Sequence, residues 1–185
     1  GALATSWRSG HLVLARGNRL SVHGLSSFED AARAAFNEEA SGRGSCQSPP
    51  TERPLDDLLS SEALQSEFEM ASAITRLVIS ATHCCLAAEC SDGSVHVARH
   101  VAHVARAGAG AFAQAQTGMG HRALAWAGNI LLLGGSSAGA FQLFDWDGVA
   151  VPGGEFRGRN EGVIATAAAG IVVGAERRFA VGFSD

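Results

Sequence analysis

Lysine is absent: all fourteen basic residues are arginine, against eighteen acidic residues and a formal net charge of −4. None of the arginines clusters into a basic run, so the electrostatic footprint of a nucleic-acid binder is missing and DNA or RNA is not expected as a main partner. No stretch reaches the roughly 20 apolar residues of a membrane-spanning helix, and the first residues lack a basic segment followed by an apolar one. Neither a membrane span nor a secretory leader is expected. Cysteine is scarce, and three of the four, Cys84, Cys85 and Cys90, crowd into one short stretch away from Cys46. Such spacing suits reduced thiols rather than a secreted disulfide framework, which implies an intracellular protein, cytoplasmic or nuclear. The chain starts at Gly1 rather than Met, as expected of a fragment of something longer.

Charged residues make up 17% of the chain, apolar residues reach 46%, and there are 23 glycines. That balance suits a well-buried sheet protein with many tight turns. A chain of 185 residues buries enough core to fold without a metal or a disulfide, and one domain is the simplest organisation.

Internal repetition carries the most information. Four segments share a pattern of apolar strand, tight turn, second strand, Gly- or Asp-containing turn and third strand. The first has strands over residues 2–7, 11–15 and 19–23, separated at Ser9-Gly10 and Gly17-Asn18. In the second, residues 74–80 precede Cys84-Cys85-Leu86-Ala87-Ala88-Glu89, and Ser91-Asp92-Gly93-Ser94 leads into Val95-His96-Val97-Ala98. Asp-Gly between apolar runs is a strong hairpin signal. The third has residues 123–126, 130–133 and 140–146, and the fourth has 163–166, 171–174 and 179–183 with a break at Gly170. Second strands read from Cys84, Ile130 and Ile171 are offset by 46 and 41 residues, near the period of about 40–45 of four-stranded propeller blades.

Residues 26–70 depart from this pattern. Ser26 or Ser27 suits a helix cap, and Phe28, Ala31, Ala32, Ala35 and Phe36 form an apolar stripe behind Glu29 and Asp30. A Gly/Ser/Pro-rich linker follows, and Leu55, Leu58, Leu59, Leu64 and Phe68 then recur at helical spacing in an acidic segment. The expected organisation is a first blade-like segment over 1–25, a helical insertion with a flexible linker over 26–70, and three further blade-like segments over 71–185. Residues 105–120, rich in Gly and Ala, suit either an outer strand or a loop.

Residues 84–98, with a small-residue strand, an Asp-Gly turn and a following strand, resemble the middle of a WD-repeat blade, as do residues 131–146. Gly120-His121 and Trp146-Asp147 match the Gly-His and Trp-Asp pairs of that family, while the other segments lack them. The resemblance, to degenerate WD-repeat β-propeller blades, implies an all-β fold of consecutive antiparallel meanders with a helical insertion. Four such blades either close a small ring or leave an incomplete one for a partner. A polo-box-like sheet with a packed helix is the alternative fold.

Several residues invite a chemical reading. Residues 77–84, Leu-Val-Ile-Ser-Ala-Thr-His-Cys, resemble the segment that carries the catalytic histidine of trypsin-like serine proteases, which would make His83 a general base. The only nucleophile turn on offer is Gly134-Gly135-Ser136-Ser137-Ala138-Gly139, without the Asp of that family, and Asp92 is the only acid in a plausible order. Cys84, Cys85, Cys90, His96, His100 and His103 are zinc-type ligands, but no Cys-x-x-Cys knuckle is present and Cys84 and Cys85 should point to opposite faces of a strand. Gly134-Gly135-Ser136-Ser137 has no following Lys and is a hairpin turn rather than a phosphate loop.

The function these observations favour is non-catalytic: a protein–protein interaction scaffold in an intracellular assembly, with no cofactor and no metal. Its partners are proteins, among them one that completes the propeller. The alternatives are a serine hydrolase built on His83 with Ser136 or Ser137, and a module that binds a linear peptide motif. Candidate partner-binding residues are Leu55, Leu58, Leu59 and Phe68 on the insertion, and Val181 and Phe183 on the last strand.

Overall fold

The computed structural model describes residues 2–6, 10–24, 64–115, 121–135, 140–157 and 164–184. They form four antiparallel sheets, each a meander whose strands follow one another in chain order. Sheet I holds β1 (Ala2–Ser6), β2 (His11–Arg16), β3 (Arg19–Gly24) and β4 (Leu64–Glu69). Sheet II holds β5 (Ile74–Ile79), β6 (Leu86–Cys90), β7 (Val95–Ala98) and β8 (Ala113–Ala115). Sheet III holds β9 (His121–Ala127), β10 (Ile130–Gly135), β11 (Ala140–Phe144) and β12 (Ala150–Arg157). Sheet IV holds two strands, β13 (Ile164–Val173) and β14 (Glu176–Ser184). The first strand of each sheet lies against the first strand of the next, so the sheets stack as blades around a common side.

The stacking follows from side chains alternating across each strand. On β6, Leu86, Ala88 and Cys90 join a core with Val13, Ala15, Leu20 and Val22 of sheet I, while Ala87 joins a second core with Leu124, Trp126, Leu131 and Leu133 of sheet III. On β10, Leu131 and Leu133 face sheet II and Leu132 faces sheet IV. Strands covered on both faces read as unbroken apolar runs, which explains why Cys-Cys-Leu-Ala-Ala and Ile-Leu-Leu-Leu show no polar alternation.

Three features differ from the sequence reading. Residues 64–69, expected to end a helix, form β4, the outer strand of sheet I, paired with β3 from Arg19↔Glu69 to His23↔Leu64. Leu64 and Phe68 are four apart, a spacing shared by one face of a helix and one face of a strand, and Gln65, Glu67 and Glu69 supply a period-2 alternation that decides for the strand. The segment 1–25 is therefore three-quarters of a blade, completed from beyond the insertion. Second, Ile164–Val173 is one strand running through Gly170 and not two separated by a turn. Blade equivalents are thus the starts of β6, β10 and β14, at Leu86, Ile130 and Glu176. Third, a helix occurs where none was expected: α1 (Val101–Ala107) connects β7 to β8. His100 caps it, its Nδ1 accepting from the Ala102 amide at 3.1 Å, and Val101 and Val104 are buried against sheet I and II side chains. The first helix-like stripe, residues 26–36, lies outside the described residues.

Candidate protein-interaction site

The β13–β14 hairpin begins at a two-residue turn, Gly174-Ala175, closed by the pair Val173↔Glu176. Gly174 has φ +61°, as the first central position of a primed hairpin turn requires. One face of the hairpin carries Ala168, Phe179 and Val181, which pack on Ala123, Leu132 and Phe141 of sheet III. The approach is closest at Gly170: a Cβ there would run into the Trp126 carbonyl oxygen, so only glycine lets β13 cross β9. At the turn end, Arg177 donates from Nη2 to Asn129 Oδ1 at 2.7 Å, tying the hairpin to the β9–β10 turn.

The opposite face carries Ala167, Ala169, Ile171 and Val173 from β13 and Ala180 from β14, all exposed. Ile171 is 60% and Val173 49% exposed. In sheets I to III the corresponding face is covered by the next sheet. The Glu176–Arg178 ion pair, 2.6 Å, decorates this face and, being exposed, adds little stability. A further opening lies beside β14. Among the described residues β14 pairs only with β13, and next to its free edge Phe183 meets Phe141 edge-on at 5.9 Å while Phe156 stacks on Phe141 at 5.1 Å. Phe183 and Phe156 are 45% and 44% exposed.

Of the residues named from sequence, Val181 and Phe183 share the face turned to sheet III, Val181 half-buried and Phe183 at the rim. Phe68 is engaged elsewhere, half-buried between sheets I and II with its ring 6.0 Å from Phe112, so it is part of the core rather than a free contact. Leu55, Leu58 and Leu59 lie outside the described residues. Phe156 escaped the sequence reading because Pro152, Gly153 and Gly154 interrupt its strand, although Glu155-Phe156-Arg157 has the alternation of an outer strand.

Among the described residues, the chemical candidates do not come together. His83 is exposed in the β5–β6 turn, where its Nδ1 is 2.8 Å from Thr82 Oγ1 and its ring abuts Gly128 at the β9–β10 turn. Asp92 sits in the β6–β7 turn, at the other end of β6, and its carboxylate accepts from the Ser94 hydroxyl and amide, which hold its pKa below the ordinary carboxylate value. Ser136 and Ser137 lie outside the described residues. Cys84 and Cys85 face different cores, and burial pushes the Cys85 thiol up to about 12. No three His, Cys, Asp or Glu side chains converge among the described residues. Trp126 is core, its indole donating to the Val78 carbonyl at 3.1 Å.

Stacked four-stranded meanders are the blades of a propeller, and known structures agree. The chain is similar to Raptor from Chaetomium thermophilum (TM-score 0.56, 12% identity), matching 90% of this chain and 13% of that one. It is similar to the β-propeller domain of Cps50 (Swd1) from Myceliophteria thermophila (TM-score 0.52, 12% identity), matching 91% of this chain and 46% of that one. It also resembles the computationally designed Ika4 protein (TM-score 0.50, 16% identity), with 90% of this chain and 76% of that one aligned. The fold is that of β-propeller blades. The chain spans less than half of the Cps50 propeller domain. No protein-family model matches the sequence, and no curated protein is similar to it.

Proposed function

We propose that this chain is a non-catalytic protein–protein interaction scaffold of the WD-repeat-like kind, working in an intracellular assembly. One observation carries the reading: the outward face of sheet IV, with Ile171, Val173 and a floor of alanines, is apolar and uncovered, while the equivalent faces of the other sheets are cores. Contiguous exposed apolar surface on a folded protein is characteristic of interaction sites. Buried free thiols at Cys84, Cys85 and Cys90 fit a reducing compartment. The separation of His83 from Asp92 argues against the hydrolase alternative, since a triad exists only as shared geometry.

The test is quantitative affinity purification from the source cells with the unaltered chain, with Ile171→Asp/Val173→Asp, and with Val149→Asp as a control at another exposed apolar residue. Partners lost with the first variant and kept with the second are the expected result. An unchanged set of partners, or an esterase activity abolished by His83→Ala, refutes the scaffold.

A further inference from the structure

We infer, within the scaffold reading, that the end of the stack where the first turns of sheets II, III and IV meet α1 is a docking track for an acidic segment of a partner protein. Contacts among the turns, the balance of charge there and the hydrogen-bonding roles of the side chains lead to that partner.

Five side chains follow one another across this end. Arg177 Nε and His83 Cε1 flank Gly128, each within 3.5 Å of where a Cβ on that glycine would sit. The β5–β6 turn that carries His83 runs beside the start of α1, because the Val101 amide donates to the Cys84 carbonyl at 2.9 Å. His100 caps that helix, and His103 and Arg106 follow on its exposed side. Arg177, His83, His100, His103 and Arg106 are all exposed. Their contacts lie between neighbouring turns inside the stack and are indifferent to what packs on the outer face of sheet IV.

The carboxylates described at this end are already matched. Asp147 is held by Arg99 and Glu176 by Arg178, while Asp145 accepts from the Asp147 and Val149 amides. Arg106 and Arg177 have neutral acceptors instead: Arg106 donates to the Ala102 carbonyl at 3.2 Å, and Arg177 to Asn129 Oδ1 at 2.7 Å. Both guanidiniums are thus held in place with no opposing carboxylate among the described residues. The opposite end, where the β2–β3 turn bonds Met70 and Ile74, has the reverse balance, with Glu67 and Glu69 sharing Arg19.

The imidazoles add donors. Because the Ala102 amide donates to His100 Nδ1, the neutral ring carries its proton on Nε2. His83 has Nδ1 engaged by Thr82 Oγ1, which leaves Nε2 as its second polar atom. Guanidinium forks beside imidazole N–H groups suit carboxylates. Two arginines neutralise too few phosphates to hold a nucleic acid, whereas a few aspartates or glutamates on an extended segment match this track. Complementary charge of this kind selects partners and sets orientation.

The probe is fluorescein-labelled hexaglutamate, titrated with the 185-residue chain in about 0.05 M salt, where surface charges are weakly screened. Binding should be saturable and should weaken as salt rises. Arg106→Gln/Arg177→Gln should weaken it roughly fivefold or more, the effect of two surface ion pairs. His83→Glu, which sets a carboxylate in the middle of the track, should abolish it. Arg19→Gln/Arg157→Gln removes the same charge at the opposite end and should leave binding unchanged. All of these positions are exposed, and circular dichroism with unfolding midpoints verifies that each variant folds. No saturable binding to the unaltered chain, equal losses in the two double variants, indifference to His83→Glu, or tighter binding of a hexameric oligouridylate through the same arginines each overturns the inference. The partner losses caused by Ile171→Asp/Val173→Asp are a separate measurement, so the scaffold can stand where the acidic track falls.

Discussion

The guanidinium of Arg99, just after β7, holds the carboxylate of Asp147 in the β11–β12 turn through hydrogen bonds of 2.5 and 2.7 Å, and it lies 5.7 Å above the ring of Trp146. The Trp-Asp dipeptide thereby docks sheet III on sheet II. Its neighbour Gly148, at φ +74°, comes so close to β8 that a Cβ would lie 3.1 Å from the Ala115 nitrogen. Asp145 shapes the turn by accepting from the Asp147 and Val149 amides.

Because Arg99 and Asp147 are solvent-accessible, Arg99→Ala should change the urea midpoint little. Gly148→Val places branched bulk against backbone in a left-handed conformation, and a loss of about 1–3 kcal/mol is expected. A loss from Arg99→Ala as large as that from Gly148→Val would mean that the ion pair holds these sheets together as much as the close approach of the turn does.

Gly170→Ala should release sheet IV selectively. The added methyl cannot coexist with the Trp126 carbonyl, and displacing the hairpin uncovers Leu132 and Phe141. Faster hydrogen exchange across residues 164–184, with sheets I and II still protected, is the expected pattern. Uniform loss of protection would show that the four sheets unfold as one unit.

Buried and exposed aliphatics on facing sheets should separate cleanly. Leu132 is fully buried between sheets III and IV, and truncation to Ala should cost about 2–5 kcal/mol. Ile171→Ala removes a side chain that already faces solvent, so a change within about 0.5 kcal/mol is expected. Comparable losses at the two positions would place a cover over Ile171 within the folded chain.

How legible this was in the sequence depended on where polar punctuation fell. Asp92-Gly93 and Gly17-Asn18 marked true hairpins, because turn chemistry and strand ends coincide there. Gly170 misled because a glycine demanded by a tertiary close approach looks the same as a glycine demanded by a turn. β4 misled because Leu64 and Phe68 satisfy both periods. Helix α1 hid in a Val/Ala run, although His100 followed by Val101, Val104 and Ala105 was a cap and an apolar stripe available to be read. Val181 and Phe183 were legible as edge residues. The Phe141–Phe156 stack was not, since it exists only through cross-strand register.

Acid should weaken the fold through its histidines. Burial lowers the pKa of His23, His96 and His100, and for His100 the nearby His11 and Arg106 lower it further; Glu67 and Asp92 oppose the shift only in part at His23 and His96. A histidine with a folded value below its unfolded value, about 6.5, binds more protons when unfolded. Its contribution is therefore complete above that unfolded value and is lost as pH falls below it toward the folded value. Glu89 has the opposite sign, since burial raises its carboxyl despite Arg76. Its contribution is complete below the ordinary carboxylate range and declines as pH rises through the folded value, so it does not add to the acid loss. His100 has a second reason to resist protonation, because its Nδ1 must stay unprotonated to accept from the Ala102 amide. Urea midpoints should thus fall between pH 7.5 and pH 5.5, a window that brackets the ordinary imidazole value of about 6.5. His100→Asn keeps a capping acceptor without the titration and should flatten part of that slope. His100→Ala should lower the midpoint even at pH 7.5, by the roughly 0.5–2 kcal/mol of a lost cap. A pH slope unchanged in His100→Asn would remove the cap from the set of groups that make this fold acid-sensitive.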